Sequence, residues 1–67
     1  MNKFAERLKE LREEKNISQS VLANAINVSP ACINRWEKGL RTPNIEGIIA
    51  LCQYFYCTSD YLIGLED

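Results

Sequence analysis

Apolar residues recur along the chain at helical intervals. Phe4, Ala5, Leu8 and Leu11 share one face, and Lys3, Arg7, Lys9, Glu10, Glu13 and Glu14 fill the other positions, which predicts an amphipathic first helix. Asn16 follows where a helix stops in the left-handed conformation, a region that asparagine tolerates better than most residues. Ser18 is suited to cap a second, short helix whose apolar face is Val21, Leu22, Ala25 and Ile26. Asn27 repeats the left-handed turn, Val28 is read as a buried spacer, and Ser29-Pro30 supplies a cap with proline at the first helical position. The third helix then runs to about Lys38 and ends at Gly39. Asn44 caps a fourth helix with Glu46 in its first turn, and its apolar stripe is read as Ile45, Ile48, Ile49, Cys52 and Phe55, the largest single contribution to the core. Thr58 caps a last short helix with Asp60 in its first turn, carrying Tyr61, Leu62 and Leu65 and ending near Gly64. No stretch alternates with period two, so the expected fold is all-α with five helices. Two short helices joined by about three residues, over roughly residues 18–38, have the spacing of a helix-turn-helix.

Composition narrows the function classes. A chain of 67 residues has room for a single core, so one domain over 1–67 is expected. The apolar run Ile48 to Cys52 is far short of the ~20 residues of a membrane span, and the charged N-terminal segment has no signal-peptide core, so a cytoplasmic protein without a membrane partner is expected. Cys32, Cys52 and Cys57 form no CxxC pair and the chain has no histidine, which argues against a metal site and favours reduced thiols packed as small apolar groups. Without histidine, a glycine-rich phosphate loop or a cysteine with a base partner, an enzyme is not expected, and no cofactor is implied.

The net charge of −1 argues against nucleic acid if taken alone, but its distribution changes the picture. Residues 1–15 sum to +1 and 16–45 to +2, while Glu46, Asp60, Glu66 and Asp67 bring the remainder to −4. One end can face phosphate. At about 100° per residue, Pro30, Ala31, Asn34 and Arg35 of the third helix fall in one arc, and Cys32, Ile33 and Trp36 fall in the opposite one. The first arc carries the groups that read base edges: arginine to guanine O6 and N7, asparagine to adenine N6 and N7, a methyl to thymine. Composition alone favours reading Asn34 and Arg35 as a solvated helix face, so the flanking residues must decide. Ser18, Gln19, Lys38, Arg41, Thr42 and the free amides at the Asn44 helix start could grip phosphates on either side.

Taken in order, Leu11-Arg12, Ile17-Ser18-Gln19, Val21-Leu22-Ala23, Val28-Ser29, Ile33 through Gly39, Pro43 and Asp60-Tyr61-Leu62-Ile63-Gly64 resemble the Cro/repressor-type helix-turn-helix family, also called the XRE family. The resemblance covers nearly the whole chain and implies a compact five-helix, lambda repressor-like domain. By position it implies base-reading contacts at Pro30, Ala31, Asn34 and Arg35, and phosphate contacts at Gln19, Lys38, Arg41 and Thr42. It also implies an internal ion pair between Arg12 and Glu37, and a core position for Trp36. Asn16 and Asn27 stand where the family often has glycine. Tyr56 stands at another such position, and because tyrosine suits the left-handed region poorly, the junction after the fourth helix is expected to differ. Gly47 is a weak helix former, costing up to about 1 kcal/mol against alanine. Pro30 and Ala31 replace polar residues, so recognition should lean on Asn34, Arg35 and DNA shape.

The function expected is sequence-specific binding of a double-stranded DNA operator by a transcriptional regulator, a repressor that binds a palindrome as a homodimer, its dimer surface supplied either by Tyr61, Leu62 and Leu65 or by a partner domain outside this chain. The alternative is an antitoxin or another regulatory module whose contacts to a protein partner dominate; its acidic C-terminal third suits a basic partner.

Overall fold

The computed structural model describes residues 3–66; Met1, Asn2 and Asp67, the last carrying one of the C-terminal acidic charges, lie outside the described residues. Five helices follow one another: α1 Phe4–Glu14, α2 Gln19–Ala25, α3 Pro30–Glu37, α4 Ile45–Phe55 and α5 Ser59–Ile63. Four start on a side-chain cap. The Ser18 hydroxyl accepts from the Val21 N–H (3.1 Å), Ser29 from Cys32 (3.2 Å), the Asn44 Oδ1 from Gly47 (2.9 Å) and Thr58 from Tyr61 (3.1 Å). Each cap satisfies one amide that helical geometry leaves without a partner. Asn16 (φ 56°) and Asn27 (φ 62°) adopt the left-handed conformation that ends α1 and α2.

Tyr56 does so too, with φ 54° and ψ 47° at the end of α4. The expected departure at that junction does not occur. A left-handed residue with a Cβ costs about 1–2 kcal/mol, and here it lets the Cys52 carbonyl accept from both the Tyr56 and Cys57 amides. The tyrosine ring points outward, 91% exposed, so the site meets no steric penalty beyond its own backbone.

Phe4, Leu8, Leu22, Ala23, Ile33, Trp36, Leu51, Phe55 and Leu62 form one core, reached from all five helices. The packing pairs are α2 on α3, α1 on α3, α1 on α5 and α4 on α5. Trp36 meets Phe4 edge to face, with ring centroids 6.4 Å apart, so it packs and does not stack on a ligand. Three expectations are corrected. In α4, Phe55 is buried and Ile48 and Cys52 pack against the core as expected, but Ile45 and Ile49 are 75% and 50% exposed and Leu51 is buried in their place. In α2, Val21 and Ala25 face outward, and Leu22 and Ala23 are buried. Leu62 has no exposed surface, so it belongs to the core and not to a dimer face; of its two companions Tyr61 is half-buried and Leu65 exposed. Val28, read as buried, is half-buried against the core.

Arg7, which periodicity places among the solvent-facing positions, is buried instead. Its guanidinium lies 4.2 Å from the centroid of the Tyr61 ring, and Nη1 donates to the carbonyls of Tyr61 (2.5 Å) and Glu66. The Tyr61 carbonyl also accepts from the Gly64 N–H at 3.2 Å, and the charged guanidinium adds a stronger second donor there. Arg7 thereby ties the end of the five-residue α5 to α1. No helix among the described residues is long and apolar enough to cross a membrane.

Candidate nucleic-acid interface

The turn between α2 and α3 is closed by backbone. Asn27 reverses the chain in the left-handed region, and the Val28 N–H returns to the Ala23 carbonyl at 3.0 Å. Ser29 then caps α3 with Pro30 at its first turn. On α3, Ile33 and Trp36 face the core, fixing the rotation of the helix. The opposite face leaves Pro30, Ala31 and Arg35 exposed and Asn34 half-buried. The two arcs expected from sequence are those the packing produces.

A polar chain leads from α1 to that face. Arg12 meets Glu37 through two contacts, Nε to Oε2 at 2.6 Å and Nη2 to Oε1 at 3.0 Å, with the side chains only 13% and 5% exposed. Its Nη1 donates to the Ile17 carbonyl at 2.9 Å, so one guanidinium joins the end of α1, the loop before α2 and the end of α3. The hydrogen bond to Glu37 is the main reason that Arg12 is held above its ordinary pKa; burial opposes it, and the charges of Glu37 and Glu13 add to it. Gln19 Nε2 donates to the same Glu37 Oε1 at 3.1 Å. Gln19 Oε1 then accepts from Asn34 Nδ2 at 3.5 Å, a long contact that biases Asn34 without locking it. The amide of Asn34 is thus reached from the buried ion pair through Gln19.

On the other side of α3 lies an open groove of about 570 Å³, lined by Cys32, Arg35 and Trp36 from α3, by Arg41, Thr42, Pro43 and Asn44 from the loop, and by Gly47 of α4. Two arginines therefore border one concavity. Arg35, Lys38 and Arg41 are exposed and make no ion pair among the described residues. Unneutralised cations on one surface set up a field that attracts a polyanion. Thr42 is exposed beside Arg41, and Asn44 and Ser18 are exposed while their side-chain oxygens serve as caps. Gln19 differs from the other residues expected to meet phosphate, since both ends of its amide already have protein partners.

Gly47 is the residue whose role sequence reasoning missed. A Cβ there would lie 2.7 Å from Pro43 Cβ and 3.3 Å from Asn44 Oδ1. The absence of a side chain lets the Arg41–Asn44 loop fold down on the first turn of α4. Nothing in local propensity signals this, because the neighbour is brought there by the loop.

The fold and this surface define the class: a five-helix domain of the kind that serves as the DNA-binding part of transcription regulators. A family profile described as helix-turn-helix matches residues 8–62, and the chain belongs to that family, in its XRE-type branch. Among known proteins, the transcriptional activator BcrR of Enterococcus faecalis is 38% identical over 64 residues, 96% of this chain and 31% of BcrR. The repressor protein C2 of Salmonella phage P22 is 34% identical over 60 residues, 90% of this chain and 28% of C2. The chain thus spans about a third of the length of these relatives. The crystal structure of the P22 c2 repressor in complex with a synthetic operator superposes with a TM-score of 0.86 at 33% identity, covering 90% of this chain and 91% of that one. A transcriptional regulator from Listeria innocua gives a TM-score of 0.92 at 30% identity, covering 100% of this chain and 63% of that one.

Proposed function

We propose that this chain is the DNA-reading domain of a transcriptional repressor that binds a palindromic operator as a dimer, with α3 of each copy in a major groove. The observation that carries this reading is the outer face of α3, where an exposed Arg35 free of ion pairs stands beside an Asn34 biased through Gln19. Arginine and asparagine make the bidentate contacts that distinguish guanine and adenine, each worth about 1–3 kcal/mol of discrimination. Pro30 and Ala31 add apolar contact for thymine methyls. Ser18, Gln19, Lys38, Arg41, Thr42 and Asn44 grip the phosphates, and Gln19 contributes through whatever donor capacity its contact with Glu37 leaves. Repression requires of this domain only that it occupy a promoter. That function places the chain in the cytoplasm, with the DNA it reads.

Half-sites of a palindrome lie about 34 Å apart, one turn of B-DNA. Domain extents of 27 × 23 × 21 Å allow two copies to sit side by side at that spacing with each α3 off-centre. With Leu62 buried, the second copy is better placed on the exposed Ile45 and Ile49 of α4, one turn apart on the same face and next to the phosphate-gripping loop. Selection of bound sequences from a randomised duplex pool at near-physiological salt tests the whole reading. Recovery of a two-fold symmetric motif is the expected result, and Ile45→Asp should reduce affinity for the full site to that for a half-site. No enrichment by the folded protein, or binding insensitive to salt, would overturn it and favour a protein partner, because phosphate contacts release counterions and weaken steeply with salt.

A further inference from the structure

Two of the three cysteines meet at the junction of α4 and α5. The Cys52 carbonyl accepts from the Cys57 N–H at 3.1 Å, and Tyr56 between them is left-handed. This is the Schellman arrangement, in which the six-to-one backbone bond brings the side chains at its two ends into contact. Here those side chains are thiols, and Cys52 is near enough to raise the pKa of the Cys57 thiol. Both are half-buried, packed against the core on one side and open to solvent on the other. A disulfide forms without backbone movement only where two Cα atoms lie within about 7 Å and their side chains converge. The motif supplies that convergence. Cys32 lies on α3 and lines the groove beside Arg35, a groove that neither Cys52 nor Cys57 lines.

We propose that Cys52 and Cys57 are a dithiol modification site, closed to an intramolecular disulfide by hydrogen peroxide. The Cys52 thiolate attacks one peroxide oxygen, the O–O bond breaks, and hydroxide leaves and is protonated to water, giving a sulfenic acid at Cys52. The Cys57 sulfur then attacks the sulfenic sulfur and loses its proton, the S–O bond breaks, and a second water leaves. Two thiols are oxidised by two electrons and one peroxide is reduced to two waters. Burial, together with the neighbouring Cys52, pushes the Cys57 thiol up to about 11, so Cys57 is the poorer first nucleophile and closure is slow. Such a site responds to sustained oxidant and stays a dithiol in a reducing compartment. The closed six-residue loop staples the end of α4 to the start of α5, which Arg7 and Leu62 in turn hold on α1 and the core. Neither cysteine belongs to the surface read as facing DNA, so the proposal stands apart from that reading.

The experiment uses the full reduced chain, treated with hydrogen peroxide, alkylated at remaining thiols, and analysed by intact and tandem mass spectrometry. The expected product is a monomer lighter by two hydrogens, alkylated only at Cys32, with the linkage within residues 52–57. Its Tm should rise by roughly 10 °C, as a short closed loop predicts, and return on adding dithiothreitol. Cys32→Ser should behave identically, and Cys57→Ser should give oxygen adducts in place of the linked product. Alkylation at all three cysteines after peroxide, a linkage through Cys32, or intermolecular dimers alone would overturn the proposal.

Discussion

Replacing Gly47 with alanine sets two effects of opposite sign against each other. Helix propensity favours alanine by up to about 1 kcal/mol, so local reasoning makes Gly47→Ala stabilising. The packing reverses this. The new Cβ would sit 2.7 Å from Pro43 Cβ, where carbon atoms prefer about 3.5–4.0 Å, and Trp36 Cη2 at 3.6 Å blocks retreat into the core. Proline cannot swing aside by rotating a side chain. The loop must shift, at an overpacking cost of about 1–3 kcal/mol, and the Asn44 cap on the Gly47 amide is strained with it, a contact worth about 1 kcal/mol. The balance is a loss of about 1–2 kcal/mol. For a domain of this size that lowers Tm by roughly 4–16 °C, measured by far-ultraviolet circular dichroism. Gln53→Ala, on the exposed side of the same helix, is the control and should stay within about 0.5 kcal/mol of wild type. A Gly47→Ala protein melting at or above wild type would refute the argument that close approach, and not tolerance, places glycine here.

Arg12→Met should cost about 2–3 kcal/mol in urea unfolding, because it strands a Glu37 carboxylate that is 5% exposed, and Arg12→Met with Glu37→Met should recover most of the loss; equal costs for the single and double variants would show that the charge is not the issue. Arg35→Ala should erase preference at one base pair per half-site with nonspecific affinity nearly intact, whereas Lys38→Ala should weaken all sequences alike and flatten the salt slope by about one; identical effects on both classes of DNA would dissolve that division of labour. The Cys57 thiol has a higher pKa in the folded chain, about 11, than its ordinary 9.0, so the folded state holds this proton more tightly than the unfolded state does. Its stabilising contribution is complete below pH 9 and disappears as pH rises toward 11. Over that window wild type should lose more stability than Cys57→Ser, and parallel curves would contradict the shift.

Much of the candidate site is legible without coordinates because its determinants are local. Caps at Ser18, Ser29, Asn44 and Thr58 and left-handed turns at Asn16 and Asn27 depend on residues within a few positions, so short-range rules place α2 and α3 correctly. The two faces of α3 follow from one apolar arc containing Ile33 and Trp36. The Gln19 bridge from Glu37 to Asn34 is not legible, since it joins side chains fifteen and eighteen positions apart.

The helical composition, the boundaries of the five elements and the outward set Pro30, Ala31 and Arg35 were determined by the sequence itself, through backbone chemistry that acts within a turn or two. Tertiary structure decided which side of α4 was buried, because that helix is apolar over most of its circumference and periodicity cannot choose between Ile45 with Ile49 and Leu51. It likewise drew Arg7 inward to the carbonyls ending α5, placed Leu62 in the core, and pressed Pro43 onto Gly47. Arg7 and Leu62 depend on which distant segment arrives as a neighbour, a fact that packing of the whole chain supplies and that no window of adjacent residues contains, whereas Pro43 stands only four positions before Gly47 and is set against it by the conformation of the loop.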